Sequence, residues 1–100
     1  MLYAIISDIH ANIDALEAVF KRIDEIGVDT TVCLGDVVGY NASPSECIKL
    51  VRELGCVTVR GNHDHYCSYN ESLDDFQPLA ASVIAWTRRQ LTEDDVKWLH

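Results

Sequence analysis

Val32-Cys33-Leu34-Gly35-Asp36-Val37-Val38-Gly39 is the stretch from which the fold can be read. An apolar, β-branched run is broken by glycine, and a carboxylate follows where the end of a strand would present it to solvent. Gly-Asp after a strand is also an ordinary way to leave a sheet, so the stretch gains its meaning from what flanks it. Upstream, Tyr3 to Ser7 reads as a strand that is apolar on both faces and fully buried, as in a parallel sheet. Asn12 then caps a helix whose apolar positions Ile13, Leu16, Phe20, Ile23 and Ile26 keep helical spacing until Gly27 ends it. Thr30 to Leu34 is the second strand, and Ser43-Pro44-Ser45-Glu46 announces the next helix with a capping box and a proline at its first position. Its buried face is Cys47, Ile48, Val51 and Leu54, and Gly55 stops it.

Cys56 to Val59 is the third strand, running into Arg60-Gly61-Asn62-His63-Asp64-His65. The polar run from Tyr66 to Gln77, with Asn70, Ser72, Asp74 and Asp75, reads as a long loop over the end of the sheet. Pro78 starts a third helix with Leu79, Val83 and Trp86 inward, and Thr92 caps a fourth that begins at Glu93. That last helix reaches His100 without a stop signal, so residues 1–100 are expected to be one domain that is incomplete at its C-terminus. Strand and helix alternate without a hairpin signal, which predicts the α/β class: a parallel βαβαβ sheet with right-handed crossovers, flanked by helices.

In such a sheet the carboxyl ends of the strands share one edge, where ligands bind. The chain places its polar groups there at close to the roughly 30-residue period of a βαβ repeat. Asp8 and His10 leave the first strand, Asp36 the second, and Asn62, His63 and Asp64 the third. Asp8 and His10 are two apart, so an extended strand end would aim both the same way. Asp36 can bridge two cations, and Asn62 adds a neutral amide oxygen. Mixed oxygen and nitrogen donors suit Mn, Fe, Zn or Co better than Mg or Ca. Two such cations can activate a hydroxide between them and clamp the oxygens of a phosphoryl group. His63 can donate a proton to a leaving oxygen, with Asp64 expected to orient its imidazole.

Asp8-x-His10, Gly35-Asp36-x-x-Gly39 and Gly61-Asn62-His63-Asp64, in this order, resemble the N-terminal signature blocks of the calcineurin-like metallophosphoesterases. Ser7-Asp8-Ile9-His10-Ala11-Asn12 and Gly35-Asp36-Val37-Val38-Gly39-Tyr40 resemble the small prokaryotic phosphatase and phosphodiesterase branch in particular. The resemblance implies the N-terminal half of a four-layer α/β-β/α sandwich and two divalent metal ions, with manganese favoured. It implies that Asp8 and His10 hold the first metal, Asp36 bridges, and Asn62 holds the second. It implies that His63 meets the substrate phosphate or acts as the acid, with Asp64 supporting it. The family completes its site with C-terminal histidines in a Gly-His-x-His block; the remaining histidines here, His65 and His100, do not form one.

The expected function is therefore metal-dependent hydrolysis of a phosphomonoester or phosphodiester by metal-activated hydroxide. The alternative is a truncated, non-catalytic module that binds metal, self-associates or awaits a C-terminal half. An aspartate-nucleophile phosphoryl-transfer domain also places Asp at strand ends, but leaves His10 and the Asn62-His63 pair without a task. A formal charge of -8 argues against a nucleic-acid polymer or an anionic membrane as partner and leaves a small phosphorylated substrate. The apolar N-terminal run is too short for a signal peptide or a membrane span, which favours the cytoplasm. Cys33, Cys47 and Cys56 lie in apolar runs and read as buried thiols. Arg60 is expected to pair with an acid, His65 to be a solvated loop residue, Tyr40 and Asn41 to lie beside the pocket, and Trp86 and Trp98 to sit in the core or an interface.

Overall fold

A computed structural model describes residues 1–69, 71–74 and 76–100. The strands are β1 (Tyr3–Ile6), β2 (Thr30–Cys33) and β3 (Val57–Thr58), parallel and in the order β1-β2-β3. Helices α1 (Ile13–Ile26) and α2 (Pro44–Glu53) form the crossovers. They are followed by α3 (Asn62–Ser68), α4 (Pro78–Gln90) and α5 (Glu93–Leu99). The α/β class and the parallel βαβαβ order are as the periodicity predicts. No helix among the described residues is long and apolar enough to cross a membrane.

Local chemistry sets the boundaries. Asn12 Oδ1 accepts the Ala15 N–H at 3.1 Å and opens α1. Gly27, at φ 78°, closes it with its N–H on Ile23 O, a left-handed conformation that glycine adopts without a Cβ clash. Pro44 does start α2, but the expected capping box does not form: Ser43 makes no side-chain cap. Its backbone N–H is already taken by Ala11 O at 3.0 Å, so Glu46 has no free N–H to reach back to. α5 does carry the box, with Thr92 and Asp95 bonded reciprocally at 3.1 Å. The Ser45 hydroxyl donates to Asp95 Oδ2 at 2.5 Å and moors that helix to α2.

Leu16 of α1, Cys47, Ile48 and Val51 of α2, Cys67 of α3, Ile84 of α4 and Leu99 of α5 form one buried cluster with Cys33, against which Ile6 packs. The register pairs Ile6 with Cys33 and Cys33 with Thr58, so this is the sheet face that the helices cover. The opposite face carries Tyr3, Ile5 and Val57, which are 55%, 67% and 60% exposed. The expectation that β1 is buried on both sides is thus corrected. All five helices contribute to one core on one side, and a sheet covered on one side keeps half its apolar residues in solvent.

Two further corrections concern helices. The run after β3 is not loop throughout, since Asn62–Ser68 is α3; Asn70 and Asp75 of the expected loop lie outside the described residues. α4 turns inward on Ile84 and Thr87, while Leu79 is 79% exposed. Thr87 tolerates burial because its hydroxyl donates to Val83 O at 2.9 Å. The cysteines are free; Cys33 and Cys47 follow the buried-thiol reading, whereas Cys56 is only half-buried, and burial pushes Cys47 and the likewise buried Cys67 up to about 12.

One side chain ties the strand exits together. Asp64, 1% exposed in the first turn of α3, accepts the Val38 N–H on Oδ1 and the Gly61 N–H on Oδ2, both at 3.1 Å. Burial pushes its carboxyl up, and these two donors oppose the shift. The exit loops approach backbone to backbone: a Cβ on Gly35, whose φ is 104°, would stand 2.5 Å from Gly61 N and 2.8 Å from Val59 O. A Cβ on Gly61 would collide with Asp36 Oδ1 and N.

Two predictions follow from this packing and are read by urea unfolding. Ile48→Ala should cost about 2–5 kcal/mol, whereas Ile5→Thr on the bare face should stay within about 0.5 kcal/mol. Asp64→Asn should cost about 1–3 kcal/mol, because its amide nitrogen would face a backbone N–H where a carboxylate oxygen now accepts one.

Candidate metal centre

At the carboxyl edge of the sheet the chain folds back on itself in an unusual way. Asp8, His10, Ala11, Asp36 and Tyr40 have φ between 49° and 69°, the left-handed region. Asp and His tolerate it better than most residues, while Ala and Tyr do not, at a cost on the order of 1–2 kcal/mol each. Asp8 and His10 therefore do not converge by strand alternation, as their spacing suggested. They converge because the chain turns sharply at both. Backbone bonds hold that turn against the next loop: Asp8 N–H to Gly35 O at 3.1 Å, His10 N–H to Asp36 O at 2.8 Å, and Ala11 N–H to Val37 O at 2.8 Å.

Asp8, His10 and Asp36 each present one donor atom, and these lie within 4.8 Å of one another. His10 Nε2 is 3.3 Å from Asp8 Oδ1 and 4.0 Å from Asp36 Oδ2. His10 Nδ1 stands 3.2 Å from Val38 O. A carbonyl only accepts, so the bond requires a proton on Nδ1 and turns Nε2 toward two carboxylates. Lone pair and anions repel unless a cation or a proton stands between them. An imidazole anchored through its other nitrogen to a backbone carbonyl is also the usual support of a metal-binding histidine. The donor set therefore fits a divalent cation.

The remaining oxygens are already engaged. The Ser7 hydroxyl donates to Asp8 Oδ2 at 2.8 Å and, with smaller help from Asp36 and His10, holds the Asp8 carboxyl below its ordinary value. Asp36 Oδ1 accepts the His63 N–H at 3.0 Å, which leaves Oδ2 as its open oxygen. Asn62, the first residue of α3, is exposed next to His63 at the same edge.

His63 lies against the cluster through its ring. Its centroid is 4.9 Å from that of His10 and 4.7 Å from that of Tyr40, and His10 and Tyr40 are 5.1 Å apart, so three rings meet pairwise. Gly39 makes this possible, since a Cβ there would stand 2.7 Å from His63 Nδ1. Burial pulls the His63 imidazole below its ordinary value, against the opposing field of Asp36, and favours the neutral ring. Nδ1 is buried without a hydrogen-bond partner among the described residues. A stranded lone pair is tolerated better than a stranded N–H, which puts the proton on the other ring nitrogen.

The expected role of Asp64 is corrected here. Both its oxygens serve backbone N–H groups, so it acts on the His63 imidazole only through its field and by fixing the turn that carries it. Among the described residues Arg60 pairs not with an acid but with Tyr69, whose hydroxyl it reaches at 3.1 Å. His65 is stacked on Tyr69 and bonded to Glu71 at 3.0 Å, where a solvated residue was expected. Trp98 packs against the core, but Trp86 lines a pocket with Tyr40. The supports that sequence reasoning missed are the Val38 carbonyl, which leaves no trace in residue type, and the Ser7 hydroxyl. Ser7 stands in the Ser7-Asp8 pair and could have been found.

A family model described as calcineurin-like phosphoesterase matches residues 1–98. An uncharacterised protein of Methanocaldococcus jannaschii is 45% identical over 98 residues, covering 98% of this chain and 40% of that protein. A symmetrical bis(5'-nucleosyl)-tetraphosphatase of Sodalis glossinidius is 34% identical over 101 residues, covering 86% of this chain and 36% of that protein. Among solved structures, a metallophosphoesterase from Sphaerobacter thermophilus superposes with a TM-score of 0.80 at 46% identity, over 99% of this chain and 40% of that one. A putative diadenosine tetraphosphatase shares the fold, with a TM-score of 0.74 at 24% identity. The chain thus spans 36% to 40% of the length of these relatives. With the family model matched from Met1 to Trp98, and with a cation-competent cluster built from the residues of its first two motifs, the chain belongs to the calcineurin-like phosphoesterase family.

Proposed function

We propose that the protein hydrolyses a phosphomonoester or phosphodiester in a metal-dependent reaction, with Asp8, His10 and Asp36 as the primary cation donors. The observation that carries this reading is His10 Nε2 held toward two carboxylates by the Nδ1 bond to Val38 O. Asp36 Oδ2 and the exposed Asn62 amide are the donors assigned to a second cation. The mixed set admits Mn, Fe, Zn or Co, and the family resemblance favours manganese. Divalent cations bound there would supply a nucleophilic water at neutral pH and charge to balance the phosphoryl oxygens.

The chain's own residues do the rest. The Ser7 hydroxyl keeps Asp8 ionised and aimed, and the N-terminal N–H of His63 fixes the rotation of Asp36. The neutral His63 ring offers an N–H to a phosphate oxygen. To serve as an acid it would first have to gain a proton, which burial opposes at neutral pH. Asp64 is a positioning residue that sets the distance between the Asp36 loop and the His63 turn.

The bare sheet face favours one further reading, in which the 100-residue chain is a non-catalytic module that self-associates through Tyr3, Ile5 and Val57. The same measurement separates the two. Manganese at 100 times its Kd should stabilise the folded protein by about 2.7 kcal/mol, and His10→Ala should abolish that gain in a thermal-shift assay. A chain that instead elutes as a dimer and takes up no manganese is the module. In a manganese-supplemented assay on an aryl phosphate ester with the complete enzyme, Asp36→Ala should lower kcat/KM by more than about 100-fold. Activity that survives this substitution overturns the phosphoesterase assignment.

A further inference from the structure

A pocket of about 310 Å³ opens between the loop after Gly39 and helix α4, lined by Tyr40, Asn41, Ala42, Ser82, Val83 and Trp86. A second cavity, about 400 Å³, runs from Asp8 and His10 along α1 past Ala15, Leu16 and Val19, and Asn41 lines both. Tyr40 ties the outer pocket to the cation cluster, because its ring touches His10 and His63 while it also walls that pocket. A group bound between Tyr40 and Trp86 is therefore next to whatever is bound at the cations.

The lining specifies the chemistry. Two aromatic side chains and Val83 provide apolar surface for a flat ring, and the Asn41 amide and Ser82 hydroxyl provide polar groups for a ring edge. The volume is at the low end for ligand pockets and suits one ring system rather than a long chain. The wall is also fixed. Tyr40 keeps a left-handed backbone at φ 69°, which an aromatic residue adopts only when its surroundings impose it. The Asn41 N–H lies 3.2 Å from His10 O and 2.9 Å from Gly39 O. The strain is held at the aromatic residue that touches His10 and His63 and also walls the pocket.

We propose that the Tyr40–Trp86 pocket receives a planar aromatic ring of the phosphoester substrate, a nucleobase or an aryl leaving group, and that Trp86 and Tyr40 set which esters are accepted. The proposal rests on the phosphoesterase reading above. It is tested with the complete enzyme and manganese on three esters: adenosine 5'-monophosphate, phenyl phosphate and glycerol phosphate. Trp86→Ala should reduce the preference for a ring-bearing ester over glycerol phosphate by about tenfold, mainly through KM, and Trp86→Phe should restore most of it. A loss confined to the nucleotide identifies the ring as a base, and one confined to phenyl phosphate identifies it as an aryl group. An equal loss on all three esters, or none, overturns the proposal.

If the unsubstituted enzyme hydrolyses none of the three, the phosphomonoester reading fails and the pocket is judged by binding alone. In a Trp98→Phe background, adenosine or phenol, without phosphate, should quench Trp86 emission to saturation. Tyr40→Ala should raise the half-saturating concentration by about tenfold. Absence of saturable quenching by both adenosine and phenol overturns the ring site.

Discussion

The strand exits of this protein are held in place by one buried carboxylate. Asp64 bonds the backbone N–H of Val38 on the loop after β2 and that of Gly61 ahead of α3, and it is sealed from water. Backbone donors satisfy a buried carboxylate without a counter-ion, and they also make it a ruler between two main-chain segments. Everything at the carboxyl edge depends on that length. The Val38 carbonyl that anchors His10, the His63 N–H that rotates Asp36, and the close approach of Gly35 to Gly61 lie within a few residues of its two bonds.

The geometry shows why three separated motifs act as one site. Asp8 is set by Ser7 at its own strand exit and by the Gly35 carbonyl of the next loop, His10 by Val38, and Asp36 by the first turn of α3. The side chains of His10 and Asp36 are thus oriented from a neighbouring segment. A change in one strand exit is therefore felt at a donor carried by another, and the second row of contacts matters as much as the donors themselves.

Much of this could be read from residue order. The β-branched runs at Tyr3 to Ile6 and Thr30 to Cys33, the Asn12 and Thr92 caps and Pro44 at the head of α2 are short-range signals, and the elements begin where these fall. The candidate cluster was legible because Asp8, His10 and Asp36 are chemically distinctive and recur in phase with the fold. The failures have a common cause, which is that tertiary contacts decided the outcome. α3 is seven residues long, too short to persist alone, and it exists because Asp64 and Cys67 are buried beneath it. The Ser43 box is lost to a carbonyl from a different loop. The bare face of β1 looks in sequence like a buried one, because periodicity reports apolar residues and not whether anything lies against them.

The left-handed residues at the strand exits have a consequence for evolution and engineering. Ala11 and Tyr40 occupy backbone regions in which glycine would be at ease, so these are positions where a substitution could relax the fold. They are also the positions that fold the first loop toward the second and set an aromatic wall beside the candidate cation cluster. A selection for thermal stability alone would be drawn to this edge, where the backbone energy is stored. What it gained in melting temperature it would lose in the aim of the site.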